Sequence, residues 1–190
     1  MPLVRGGYPP TSPDWLLAGS PDTRSAPRQN MSRFDVASDT AALTTQVLTT
    51  VAIPLQAGDI ITKLACKSGA TAAGTPTNYF FALYDTAGNL LQQTADQTTT
   101  AWAADTAKDL ALAAAVPISV SGTYYVGLRV KATTVPSLVG VTLGRAGVSA
   151  GILATDKVAS QTSGSGLTAT APATIATPTA IAAVPFVIAH

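Results

Sequence analysis

Alternation of hydrophobic and polar positions marks the clearest strand of the chain, in the stretch GTYYVGLRVK. One face of this stretch carries only apolar side chains: Tyr124, Val126, Leu128 and Val130. The other face includes Arg129 and Lys131. A period of two with one apolar face predicts a half-buried strand of an antiparallel sheet, with the Arg129 face toward solvent.

The sequence predicts two further pairs of strands, each joined by a short connection. In NYFFALY both faces are apolar, which indicates a central strand, and DTAGN with Gly88 predicts the hairpin that returns as NLLQQT. QVLTTVAIPL, the turn QAGD and IITKLACKS predict another strand pair. In its second strand we expect Ile60, Leu64 and Cys66 to share the core face and the lysines to face solvent. Cys66 is the only cysteine and is interpreted as a small buried hydrophobe.

The strand count predicts the fold class. With SLVGVTLG and AIAAVPFVIAH, about eight short strands are separated by turn signals, and strands do not alternate with helices. This pattern predicts an all-β, antiparallel two-sheet sandwich over residues 43–190. A jelly roll is the first choice and an immunoglobulin-like sandwich the second. The low-complexity stretch 159–178 is interpreted as a long loop that brings the last strand back, or as an extension onto a neighbour.

Residues 1–42 have a different composition. Six prolines prevent a long helix or a central strand, so the block predicts an extended N-terminal arm. Arginine and large apolar side chains are enriched at protein–protein interfaces. The predicted partner-anchoring residues are Tyr8, Trp15, Leu16, Leu17, Arg24, Arg28, Arg33 and Phe34. A disordered tail or a leader that is clipped off is the alternative.

Composition and charge narrow the range of partners. The chain is 47% hydrophobic and only 11% charged, and it contains no glutamate. So little charge indicates a surface partly covered by other proteins, and we expect a homo-oligomer. The net charge is +1 and the sequence has no run of basic residues. This charge pattern does not predict binding to nucleic acid or anionic lipid. The apolar runs are too short to span a bilayer, so no membrane insertion is expected.

The residue inventory offers little for catalysis. The only histidine is His190, and one histidine with one cysteine cannot build a tetrahedral zinc site. No calcium loop or phosphate-binding loop is present in the sequence, so we expect no metal, no cofactor and no enzymatic activity. A glycan hydrolase using the acids Asp105 and Asp109 is the less supported alternative.

Two aromatic residues are candidates for stacking on sugars. Trp102 lies in the loop-like stretch TTTAWAAD, and Tyr125 lies on the polar face of its strand. Exposed flat rings on a sandwich can bind carbohydrate. The competing interpretation for Trp102 is a core plug that closes one end of the sandwich.

Four stretches carry a family resemblance: IPLQAGDIITKL, FALYDTAGNLLQQTADQ, AWAADTAKDLAL and VPISVSGTYYVGLRV. Over residues 51–130 the chain resembles the small jelly-roll modules in virion proteins of tailed phages that infect actinobacteria. These modules are commonly labelled minor tail proteins, with relatives on capsid exteriors. The resemblance implies a structural role and transfers no catalytic residues.

The functional hypothesis joins the arm and the resemblance. We expect a non-enzymatic virion protein, assembled in the host cytoplasm: a minor tail component that the arm anchors to other virion proteins and that displays its sandwich outward. One alternative is a capsid decoration protein that staples capsomers. Another is a cell-wall carbohydrate-binding module for host adhesion.

Overall fold

The computed structural model describes residues 27–75 and 78–190, and these residues are almost entirely β-structure. The strands are β1 (Arg28–Gln29), β2 (Ser38–Asp39), β3 (Leu48–Leu55), β4 (Ile60–Lys67), β5 (Asn78–Tyr84), β6 (Leu90–Gln93), β7 (Ala107–Pro117), β8 (Gly122–Lys131), β9 (Val139–Thr142), β10 (Ser160–Ser163), β11 (Thr179–Ala180), β12 (Ala183–Pro185) and β13 (Val187–Ala189). A 3-10 helix at Arg33–Asp35 and a short α-helix, α1 (Ala146–Ala150), interrupt them. The predicted all-β fold is confirmed.

The strands form two main sheets and one small sheet. The six-stranded sheet has the order β11-β10-β3-β8-β5-β6, and the four-stranded sheet has the order β1-β13-β4-β7. The small sheet has the order β12-β9-β2. All the strand pairs are antiparallel.

The central pairs are nested like those of a rolled-up hairpin. β3 pairs with β8, β4 with β7 and β5 with β6, and the β4–β7 pair lies in the opposite sheet from the other two. Rolling also brings β8 beside β5. Nested pairs that alternate between two packed sheets are the jelly-roll arrangement, which was the first choice from the sequence.

The inner faces of the two main sheets enclose one hydrophobic core. The four β8 residues predicted for the core face, Tyr124, Val126, Leu128 and Val130, all lie in it. Tyr79, Phe81 and Leu83 of the neighbouring strand β5 lie beside them on the same sheet face. Cys66 is also in this core, so its interpretation as a small buried hydrophobe is confirmed.

One register prediction is wrong, at the start of β4. Ile60 is 53% exposed, whereas Ile61 is buried. The pairing of β4 with β7 shifts between Ile61 and Lys63, because four residues of β7 stand opposite Thr62 alone. At this bulge the N–H groups of Thr62 and Lys63 both donate to the carbonyl of His190, at 2.7 and 2.8 Å. The bulge reverses the alternation, so Leu64 and Cys66 still point inward.

The Arg129 face of β8 is also buried, contrary to the prediction. Residues 164–178, here called the covering segment, lie over the outer face of the six-stranded sheet. Ala171 of this segment and side chains of the sheet beneath it form a second buried cluster, whose sheet residues are Leu48, Phe80, Ala82, Tyr84 and Tyr125. Leu167 and Ile175 of the segment pack against this cluster. Within the stretch 159–178, residues 160–163 form strand β10 of this sheet, and the covering segment packs on its own domain.

The chain joins the sandwich earlier than the predicted boundary at residue 42. β1 pairs with β13, and β2 pairs with β9. Arg28, predicted to anchor a partner, is instead buried and donates to Asp59 of its own chain at 2.6 and 2.9 Å. The assignment of Arg28 to a free arm is therefore wrong. Five other predicted anchors lie outside the described residues: Tyr8, Trp15, Leu16, Leu17 and Arg24.

Candidate docking groove

The predicted anchors Arg33 and Phe34 lie on the surface, in the 3-10 helix. Ser32 caps this helix, because its Oγ accepts the N–H of Phe34 at 3.2 Å. The N–H of Asp35 donates to the carbonyl of Ser32 at 3.0 Å. These bonds close the turn with the Phe34 side chain outside it, and Phe34 is 78% exposed. An ordered turn thus holds a large aromatic side chain in solvent.

A groove lies beside this turn, on the outer face of the four-stranded sheet. Its floor crosses three adjacent strands, since Ala65 is in register with Ile188 and Lys67 with Ala107. The volume of the groove is about 500 Å³. We call it the Phe34 groove, and its lining is Arg33, Val36, Ala65, Cys66, Lys67, Ala107, Val139, Phe186 and Ile188.

The groove is mainly apolar, with charge at its border. Arg33 and Lys67 are exposed and contribute the two cations of its lining. Asp35, on the other side of Phe34, is exposed and contributes an acid to the same turn. An apolar floor with a charged border is the composition of a protein-binding patch.

Cys66 contributes to the groove lining without offering a reactive group. Its side chain belongs to the core and is only 4% exposed. Burial raises the pKa of its thiol far above the ordinary value. A thiol that stays protonated and covered is neither a nucleophile nor a metal ligand.

Trp102 is a core residue, which contradicts its assignment to a sugar-stacking site. Its side chain is completely buried, 5.2 Å from the ring of Tyr79 and 5.8 Å from that of Phe81. Its Nε1–H donates to the carbonyl of Thr106 at 3.0 Å. The indole ring is therefore packed against other aromatic rings and its polar edge is bonded inside the protein. The core-plug interpretation describes Trp102 correctly.

Tyr125 is also unavailable to a sugar. Its ring lies in the outer cluster beneath the covering segment and is 6% exposed. Burial raises the pKa of its hydroxyl. The sequence placed Tyr125 correctly on the outer side of β8, but it did not reveal that another segment covers that side. The sugar-stacking pair is thus wrong at both positions.

A second exposed apolar feature surrounds α1. Val148, Ile152 and Leu153 are 54%, 87% and 66% exposed. The Asp156 carboxylate accepts the N–H groups of Ile152 and Leu153, both at 2.8 Å, and these bonds hold the pKa of Asp156 below its ordinary value. Buried Ser149 ties the helix to Ser160 with two bonds of 2.9 and 3.0 Å. The loop is therefore ordered although its apolar side chains face solvent, a feature that sequence periodicity does not reveal.

The acids considered for hydrolysis do not form a pair. Asp109 lies on the outer face of β7 and binds His190 Nε2 at 3.0 Å and Lys63 Nζ at 3.2 Å. Partial burial opposes ionisation of Asp109, but the bonds to His190 and Lys63 outweigh it and hold its pKa below the ordinary value. Asp105 lies in the loop before β7, with a φ of 52°. Asp109 is thus an exposed ion-pair residue.

In residues 27–75 and 78–190, no helix is both long and apolar enough to cross a membrane. Over the same residues, no group of three or more His, Cys, Asp or Glu side chains is arranged to hold a metal ion.

Comparison with known proteins assigns no family to the chain. No protein-family model matches it. No curated protein matches it either. The site must therefore be interpreted from its own geometry.

Proposed function

We propose that the chain is a non-enzymatic structural protein of a tailed-phage virion. In this proposal it is a minor tail component that attaches through its N-terminal region and displays the sandwich outward. Its partners are other virion proteins and further copies of itself.

The observation that carries the proposal is the set of nested strand pairs. The stretches that resemble phage virion modules occupy residues 51–130, which include all or most of each strand from β3 to β8. In the structure these strands form the three nested pairs and the shared core. The resemblance implied a jelly roll, and the residues that carry it build one.

Surface chemistry gives the proposal further support. Phe34 and the apolar side chains of the α1 loop lie exposed on ordered backbone. Exposed apolar groups on a well-ordered scaffold are typical of proteins that assemble with others. The Phe34 groove adds a concave apolar surface to the same molecule.

Cell-wall glycan binding through Trp102 and Tyr125 is not part of the proposed function. Both rings are buried, so a sugar has no flat aromatic surface at either position. No other described aromatic side chain was a candidate for that role.

Quantitative mass spectrometry of purified virions tests the proposal. The protein is expected in intact particles at a few copies per virion, measured against the major capsid protein. A copy number in the hundreds would instead assign the chain to capsid decoration. Its absence from particles, combined with its presence in infected-cell lysate, would overturn the virion proposal.

A further inference from the structure

We propose that the Phe34 groove is a self-association surface, on which two copies of the chain exchange their Phe34 side chains about a two-fold axis. Each Phe34 enters the groove of the other copy. This inference stands on the described residues alone and does not depend on whether the chain is a virion protein.

The projecting Phe34 ring and the Phe34 groove, which are the two parts of such a contact, lie next to each other on the surface. Arg33 and Val36 line the groove, whereas Phe34, between them in sequence, is 78% exposed. The ring therefore borders its own groove without filling it. A two-fold interface requires one patch that is complementary to itself, and an adjacent projection and hollow satisfy this requirement.

The hollow suits an aromatic ring. Alanines Ala65 and Ala107 form part of its floor, next to Ile188, and the groove volume is about 500 Å³. This volume lies within the range of roughly 300–1,000 Å³ of pockets that hold compact apolar groups. The floor consists of ladder-bonded strands, so it is formed before the partner arrives.

Charge favours a second copy as the occupant. Asp35 stands next to the projecting ring, and the groove carries Arg33 and Lys67. Two-fold exchange brings Asp35 of each copy toward the cations of the other, twice per dimer. Aromatic rings and arginines are also enriched among the residues that dominate binding energy at interfaces. A partner with a basic contact surface would meet Arg33 and Lys67 without this compensation.

Sedimentation velocity of the full chain over a series of concentrations tests the proposal. The wild type is expected to shift from monomer to dimer. Phe34→Ser removes one ring from each half of the interface, so we expect it to weaken dimerisation by more than about a hundredfold. Ile152→Ser is the matched control, because Ile152 is even more exposed yet lies outside the groove. It is expected to dimerise like the wild type.

Charge reversal tests the geometry of the contact. Asp35→Lys and Lys67→Asp are each expected to weaken the dimer about tenfold, and the double variant is expected to recover most of the loss. Both side chains are exposed, so circular dichroism should show an unchanged fold.

Two results would overturn the proposal. The first is a wild type that stays monomeric at every concentration. The second is a dimer that Phe34→Ser leaves intact; if Trp15→Ser abolishes that dimer, association is assigned to the N-terminal segment. Absence of the protein from purified virions would not affect any of these outcomes.

Discussion

The outer faces of the two main sheets differ in whether another part of the chain covers them. The six-stranded sheet carries Phe80, Tyr84 and Tyr125 on its outer face, and the covering segment buries them. The four-stranded sheet carries small or charged residues, among them Ala107, Asp109 and Ala111, and these remain exposed. The aromatic outer face of the six-stranded sheet is therefore covered by a segment of the same chain. The outer face of the four-stranded sheet is uncovered and contains the Phe34 groove.

Hydrogen bonds as well as side-chain packing hold the covering segment in place. Gln93 accepts the N–H of Ala171 at 2.7 Å, and the Tyr84 hydroxyl donates to the carbonyl of Pro172 at 3.1 Å. Buried Arg129 donates to the carbonyl of Leu167 and lies 5.8 Å from the Phe80 ring. Burial lowers the pKa of the Arg129 guanidinium. The contrast teaches that a segment of low complexity can be a fixed part of a fold when its main chain supplies the contacts.

The largest effect is expected from truncating an aromatic residue on the covered face. Phe80→Ala should lower the free energy of unfolding by about 4 kcal/mol, because it leaves a cavity under the covering segment. The same change on the other face, Phe34→Ala, should alter monomer stability by less than about 0.5 kcal/mol, since that ring is exposed. Urea unfolding at low protein concentration measures both. Equal losses would contradict the comparison.

A slightly smaller effect is expected at the edge where the chain joins the four-stranded sheet. Arg28→Met should lower the free energy of unfolding by about 3 kcal/mol, because it leaves the buried Asp59 carboxylate without its cation. Arg33→Met is the matched control on the exposed turn and should be nearly neutral. If Arg28→Met were equally neutral in urea unfolding, residues 27–42 would not be an integral part of the sandwich.

Loosening the covering segment should have a local effect. Tyr84→Phe removes the bond to Pro172 and should lower stability by about 1 kcal/mol. Hydrogen exchange should show faster exchange at the Leu90 and Ile175 amides, which bond across to Ala173 and Gly88. The Thr62 amide in the other sheet should be unchanged. Faster exchange at all three amides would indicate global destabilisation.

The smallest effect is expected on the exposed face, at Asp109. Its pKa is held below the ordinary value of 3.8, so its ion pairs stabilise the folded state above that pH and lose this effect as the pH falls through the depressed pKa. Asp109→Asn should lower stability by less than about 1 kcal/mol, because the carboxylate is 44% exposed. The difference should vanish in acid. Unfolding across pH, with Asp105→Asn as control, measures it, and a difference that persists in acid would exclude the ion pairs as its source.

Alternation predicted the core face of β8 and the solvent-facing lysines of β4, but it failed at Ile60 and on the outer face of the six-stranded sheet. The core face of β8 follows directly from Tyr124 to Val130, and Gly88 adopts the positive φ of 87° that its hairpin needs. The covering segment is mostly Ala, Thr, Ser, Gly and Pro, and its two large apolar residues, Leu167 and Ile175, show no periodicity, so nothing in the sequence signalled that it covers Tyr125. The bulge at Thr62 depends on His190, which lies far away in sequence.

The candidate site was only partly predictable. Residue type alone pointed to Arg33 and Phe34 as partner contacts, and the structure places both on the surface beside a groove. It also pointed to Arg28, which pairs with Asp59, a residue 31 positions away. The groove itself assembles β13, β4 and β7 with the turn, and no local pattern encodes such a combination.

The position of β13 has a consequence for how the protein is made. This strand, the last in sequence of the described strands, lies between β1 and β4 in the interior of its sheet. Arg28 pairs in register with Ala189, and such distant pairings are slow to form because a long loop must close first. A nascent chain therefore cannot complete this sheet until residue 189 has left the ribosome. Until then the edge of β4 that will receive β13 stays open to pairing with other strands.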